Sequence, residues 1–193
     1  GPLQLPLGTC MKGVVFTEFM ELVEQAFSID VLDKIIARSE LPSGGVYTAI
    51  GTYPASEMVR LVTELSRETG VPVPALLSTF GRHLTKTFST RYNAFFAQAG
   101  GTLSLLQRVE GLIHVEVRKL YPDAELPTFE TELTADGLVM VYRSSRRMAD
   151  LAEGLMHGTA EYFGEQIAIE RTDLSQGRGE VVRFVIRKLE ARA

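Results

Sequence analysis

The sequence predicts an α+β fold: a helical N-terminal half packed on a C-terminal half that combines helices with a four-stranded antiparallel sheet. Three observations carry this. As far as Tyr121, apolar residues recur every three or four positions, in segments punctuated by Gly and Pro. Beyond Pro122 the chain changes to short runs rich in β-branched and aromatic residues, at 129–134, 138–144, 167–169 and 181–186. Two glycine-containing connections, Ala135-Asp136-Gly137 and Ser175-Gln176-Gly177-Arg178-Gly179, pair those runs as hairpins.

Taken in order, Val15, Phe19, Val23 and Phe27 mark one face of a helix over 11–27. A short helix over 30–38 precedes the turn signal Pro42-Ser43-Gly44-Gly45. Residues 46–53 lean towards strand and stop at Pro54. Ser56 opens a helix through Met58, Leu61, Val62 and Leu65, with Gly70 as its stop. Pro74 suits the first turn of the next, which carries Leu77, Phe80, Leu84 and Phe88. After the break at Gly100-Gly101, Thr102 is placed to cap a long helix over 102–121, ended by Pro122. Beyond the first hairpin, residues 148–163 return to helix and stop at Gly164.

Composition bounds the function. With 193 residues, 45% hydrophobic and 23% charged, the chain suits one domain with a substantial core. A net charge of −4 without a basic run argues against nucleic acid as a partner. Cys10 is the only cysteine, which excludes an intramolecular disulfide. There is no membrane-span or signal-peptide pattern, so a soluble cytoplasmic protein is expected. Residues 1–10 read as a tag remnant and linker, with Met11 the expected natural start. No Ser/His/Asp order or paired-carboxylate arrangement stands out, which argues against an enzyme.

Two features carry chemistry. The run 138–142 leads into Tyr142-Arg143-Ser144-Ser145-Arg146. If the strand continues, Tyr142, Ser144 and Arg146 share a face and offer a phenol, a hydroxyl and a guanidinium to a carboxylate. A strand end capped by surface polar residues is the plain alternative. His114 lies at the margin of an apolar helix arc that contains Leu105, Leu106, Val109, Ile113 and Val117. A hydrogen-bonded core histidine is the plain reading there. Gly111, one turn earlier, leaves room for a flat ligand, and imidazole is a frequent ligand of haem iron. Haem propionates would complete the Tyr–Ser–Arg row.

The ordered set formed by 112–122, Leu126-Pro127, Tyr142-x-Ser144-x-Arg146, Ala152-Glu153-Gly154-Leu155 and Gly158 resembles the H-NOX (haem–nitric oxide/oxygen binding) family, of the bacterial stand-alone type. So does the opening Met11-Lys12-Gly13-Val14-Val15, and the likeness spans 11–188. It implies a single domain over 11–190, with a helical distal part about 11–70 and a mixed proximal part about 71–190. Haem b (iron protoporphyrin IX) would lie between them. By the same resemblance His114 is the iron ligand, and Tyr142, Ser144 and Arg146 hold the propionates. Pro127 presses on the macrocycle, and Val15, Phe19, Leu84, Phe88 and Leu151 line the distal side.

The resemblance implies a sensor of NO, and of CO as a weaker ligand, in which NO weakens the iron–His114 bond and a partner reads the change. Stand-alone relatives regulate a histidine kinase or a cyclic-di-nucleotide enzyme. Members that hold oxygen carry a distal tyrosine where this chain has Leu151, and bound O₂ needs a hydrogen-bond donor. Poor O₂ binding is therefore expected, Tyr162 being too far along the helix to help. Some relatives carry a Cys/His zinc site near the C-terminal hairpin. This chain has no cysteine after Cys10 and no histidine in 171–182, so no structural zinc is expected. Rival readings are a peroxidase-like haem enzyme and a haem-free interaction domain of the same fold. His83 and His157 read as surface or packing residues.

Overall fold

The computed structural model describes residues 9–190. The chain opens with β1 (Cys10–Lys12) and passes directly into α1 (Gly13–Ala26). The helix expected from Met11 starts at Gly13 because the preceding residues pair antiparallel with β2 (Thr52–Pro54), Cys10 opposite Pro54 and Met11 opposite Tyr53. The linker reading falls mostly on residues 1–8, which lie outside the described residues. Thr9 and Cys10 pack with the fold: Thr9 is buried and its carbonyl accepts the Ala55 N–H at 2.9 Å.

Between α1 and β2 lies α2 (Ile29–Ser39), capped by the Ser28 hydroxyl, which accepts the Val31 N–H at 3.1 Å. The stretch 46–53 stays mostly irregular, with only Thr52 and Tyr53 in β2, and Gly51 breaks it just before that strand. Its aromatics still pack: the Tyr47 and Tyr53 rings lie 4.4 and 5.6 Å from that of Phe16. Then come α3 (Ala55–Thr69), ended by Gly70 in the left-handed region at φ 76°, and α4 (Val73–Arg91), with its proline in the first turn. The first core forms here, from Phe16, Phe19, Ile35, Met58, Leu61, Leu65 and Phe80. The first half is thus helical apart from its two-stranded ribbon.

After α5 (Asn93–Ala99) the single helix expected over 102–121 is three pieces: α6 (Thr102–Gln107), a π-helical turn (Val109–Ile113) and α7 (His114–Leu120). The Arg108 carbonyl accepts the N–H groups of both Leu112 and Ile113, at 2.9 and 3.3 Å, and His114 donates to Val109, five residues back. One residue is thereby accommodated beyond the α-helical repeat. Thr102 is not the cap: it is already helical, and its N–H and hydroxyl donate to the Glu165 carboxylate at 2.7 and 2.9 Å.

The C-terminal half holds β3 (Thr128–Thr134), β4 (Gly137–Arg143), α8 (Ala149–Phe163), β5 (Ile167–Asp173) and β6 (Val181–Lys188). The sheet is antiparallel in the order β3-β4-β6-β5. Inward residues alternate along β4 and β6, so Leu138, Met140, Tyr142, Val182, Phe184 and Ile186 form a second core with α6 and α8. The two halves join where α4 crosses α8. Glycines make that crossing close: a Cβ on Gly154 would lie 2.1 Å from the Ser78 carbonyl oxygen, and one on Gly81 would lie 2.4 Å from that of Leu151. Among the described residues, no helix is long and apolar enough to cross a membrane.

Candidate functional site

A cavity of about 210 Å³ lies at this junction. Helices α1, α4 and α8 contribute Val15, Leu84, Phe88, Leu151 and Leu155 to its wall. The segment from α6 to Pro127, with β3 and β4, contributes Val109, His114, Val117, Pro127, Phe129, Met140 and Tyr142, and Arg146 follows β4. Thr85 and Thr159 are also on the wall, but both hydroxyls donate to helix carbonyls, of Gly81 and Leu155 respectively. The α1, α4 and α8 side is therefore apolar in effect except at the end of α4, where Arg91 lines the cavity and its Nη1 donates to the Tyr121 hydroxyl at 2.8 Å.

His114 is 9% exposed and sits at the junction of the π turn and α7. Its Nδ1 lies 2.8 Å from Oε1 of Glu110, and the Phe129 N–H donates to the same oxygen at 2.9 Å. A carboxylate only accepts, so Nδ1 carries the proton and Nε2 keeps its lone pair. Nε2 has no hydrogen-bond partner among the described residues. Burial pushes the imidazole pKa below its ordinary value, with Glu110 acting in opposition, and the ring is neutral near pH 7. An aromatic sequence continues from it: the His114 and Phe129 rings are 5.9 Å apart, and those of Phe129 and Tyr142 are 5.8 Å apart.

The Tyr–Ser–Arg row has a different geometry from the extended strand expected. β4 ends at Arg143, and 144–147 form a turn with Arg147 at φ 56°. The turn closes on itself, the Ser144 hydroxyl accepting the Arg146 N–H at 3.1 Å. Tyr142, 2% exposed, accepts the Met148 N–H on its phenolic oxygen at 3.0 Å. Arg146 turns inward to 7% exposure, and its Nη1 donates to the carbonyls of Glu125 and Cys10. Tyr142 and Arg146 thus reach the cavity wall, whereas Ser144 does not and instead braces the turn.

Phe19 is also corrected. It is 1% exposed and packs its ring 5.3 Å from that of Phe80 inside the first core, off the cavity wall. Val15 and Phe19 share a helix stripe, but the cavity meets only one end of it. Tyr162 is 42% exposed and packs edge-on against Phe96 and Phe163, itself off the cavity wall. His83 pairs with Glu18 at 3.1 Å between α4 and α1. Reading the sequence missed Glu110, although it stands one helical turn before His114. It also missed Lys12, whose buried Nζ reaches the Ile50 carbonyl, Thr52 and Asp123 at 2.8 to 3.0 Å.

This donor set fits a haem. It offers one unpartnered imidazole nitrogen on an apolar wall, and a buried guanidinium that has no carboxylate ion partner among the described residues. A buried cation of that kind calls for an anion, and a propionate supplies one.

Comparison with known proteins agrees. The family profile described as haem-NO-binding matches residues 12–171. The fold is similar to the Fe(II) unliganded H-NOX protein from K. algicida, with a TM-score of 0.88 and 45% identity over 94% of this chain and 98% of that one. It is similar to an S. oneidensis H-NOX protein in the Fe(II)NO state, with a TM-score of 0.85 and 25% identity over 93% and 100%. The IWP-051-bound H-NOX from Shewanella woodyi in the Fe(II)CO state gives 0.78 and 39% over 93% and 95%. A soluble guanylate cyclase of Caenorhabditis elegans, gcy-35, is 24% identical over 141 residues, which is 71% of this chain but only 20% of the cyclase. Sequence motif, fold and profile converge, and the chain belongs to the haem-NO-binding, or H-NOX, family.

Proposed function

We propose that the chain binds haem b through His114, with Tyr142 and Arg146 at the propionates, and senses NO while discriminating against oxygen. The observation that carries this is the pairing, on one cavity wall, of an imidazole whose Nε2 is open with a buried Arg146 that lacks a carboxylate. When bound, the haem supplies a ferrous centre for diatomic gases. The residues select among them: Val15, Leu84, Phe88 and Leu151 offer no hydrogen-bond donor, and the hydroxyls of Thr85 and Thr159 are committed to helix carbonyls. Polar O₂ complexes need such a donor and NO does not. Pro127 also lines the cavity and would press on the macrocycle.

Release of His114 by NO would free α7 and the π turn to shift, and a partner would read that shift as a change of population. By analogy with the relatives' NO- and CO-bound forms, CO is a second ligand. A histidine kinase or cyclic-di-nucleotide enzyme in the cytoplasm is the proposed recipient, and the domain itself performs no catalysis.

Absorption spectra of the reduced protein, with NO and in air, test the reading. Wild type should bind haem, respond to NO and form no stable oxygen complex. His114→Gly should lose haem unless imidazole is supplied. A colourless wild type, expressed with ample haem, would sink the proposal.

A further inference from the structure

We infer that Glu110 is a positioning residue for the iron ligand: one carboxylate oxygen fixes the ring plane and tautomer of His114 and ties that ring to the first strand of the sheet. This rests on the haem reading for His114 and goes beyond it.

Three features carry the inference. Glu110 Oε1 lies 2.8 Å from His114 Nδ1 and 2.9 Å from the Phe129 nitrogen, so two donors from separate elements converge on one acceptor. β3 is an edge strand, and Glu110 supplies an acceptor to Phe129 near the strand's start. The π turn holds both Glu110 and the residue before His114, so the wider turn sets where the carboxylate meets the ring.

The chemistry follows. A proton held on Nδ1 by a carboxylate leaves Nε2 as the only lone pair available to a metal. The negative partner also raises the basicity of that nitrogen. The ring is gripped on its far side, while Phe129 packs against it at 5.9 Å between centroids. Any displacement of His114 must therefore either break the Glu110 contact or carry Glu110 and the Phe129 amide with it. Movement of the ligand becomes movement at the strand edge.

The experiment uses the haem-loaded protein with Glu110→Gln and Glu110→Ala. Gln keeps an oxygen acceptor for both donors but removes the charge, and Ala removes both. Resonance Raman spectroscopy reads the iron–histidine stretch, and competition with a haem acceptor protein reads affinity. We expect the stretch to fall in both variants. Haem affinity should drop about 10–100-fold for Ala and less for Gln, the range usual for lost partners of metal-bound histidine. The Phe129 amide should exchange faster with deuterium in Ala than in Gln. An unchanged stretch in both variants overturns the inference, even if affinity falls, because a purely structural role would lower affinity alone. If Ala does not fold, Gln alone decides through its stretch. Failure of the haem reading looks different: it shows as a wild type without haem, or as His114→Gly with unaltered coordination.

Discussion

Gly154→Ala probes the crossing that holds the two halves together. A methyl at Gly154 would sit 2.1 Å from the Ser78 carbonyl oxygen and 2.8 Å from two further backbone atoms of that residue, against an ordinary contact of at least 3.4 Å. The obstacle is helix backbone, so no rotamer change relieves it. α4 and α8 must separate by about 1 Å or the helices must bend, and overpacking of this kind costs roughly 1–3 kcal/mol. For a chain of this size each kcal/mol lowers Tm by about 2–4 °C, which gives a drop of about 2–12 °C. Thermal unfolding followed by circular dichroism measures it. Gly111→Ala in the apo-protein is the control, since its methyl meets nothing within 4 Å and helix propensity favours alanine by up to about 1 kcal/mol. Because Leu84, Phe88, Leu151 and Leu155 hang from the same two helices, Gly154→Ala should also alter the gas-ligand spectra. An unchanged midpoint together with unchanged spectra would refute the claim that this seam sets the cavity.

Leu151→Tyr puts a phenol on an otherwise donor-free stretch of wall, and should give an oxygen complex that persists in air by absorption spectroscopy; no change would mean the side chain does not reach the bound gas. Phe19→Ala should cost about 3–5 kcal/mol as a core truncation, while the folded protein keeps the wild-type NO spectrum, a split that separates core from cavity. Glu165, held by Lys188 and by the Thr102 N–H and hydroxyl, has its carboxyl pKa lowered from 4.5 to about 2. A lowered folded-state value stabilises the protein above pH 4.5, and that contribution fades as pH falls from there towards 2. Glu165→Gln should accordingly show a flatter fall of Tm across that window than wild type, and parallel curves would disprove the assignment.

The helices α2, α3, α4 and α8 were legible because their signals are local: the turn Pro42-Ser43-Gly44-Gly45 after α2, Pro74 in a first turn, Gly70 and Gly164 at the ends. The sheet was legible because runs rich in β-branched and aromatic residues, joined by glycine-containing turns, mark its strands. β1 was not, since three residues carry no periodicity and its partner β2 is far along the chain. The π turn also escaped notice. Val109, Ile113 and Val117 fit an α-helical stripe, and inserting one residue leaves the apolar pattern almost intact. For the site, the residues were readable and the geometry was not. Tyr142 and Arg146 reach the wall through a turn closed by Ser144, a conformation that strand alternation does not describe. The stripe through Val15 and Phe19 could not say where the core ends and the cavity begins.

The guanidinium of Arg146 has a consequence for how the molecule is made. It joins carbonyls 136 and 21 residues distant in sequence, so its surroundings span most of the chain. The longer of these contacts forms only when the N-terminal strand and the turn after β4 have come together, so it depends on tertiary assembly and not on local structure. The cationic end of the cavity is then complete only once the first strand has docked. The Cys10 carbonyl therefore ties the N-terminal strand to the buried guanidinium at the cavity wall, and the Glu125 carbonyl is the second tether of the same group.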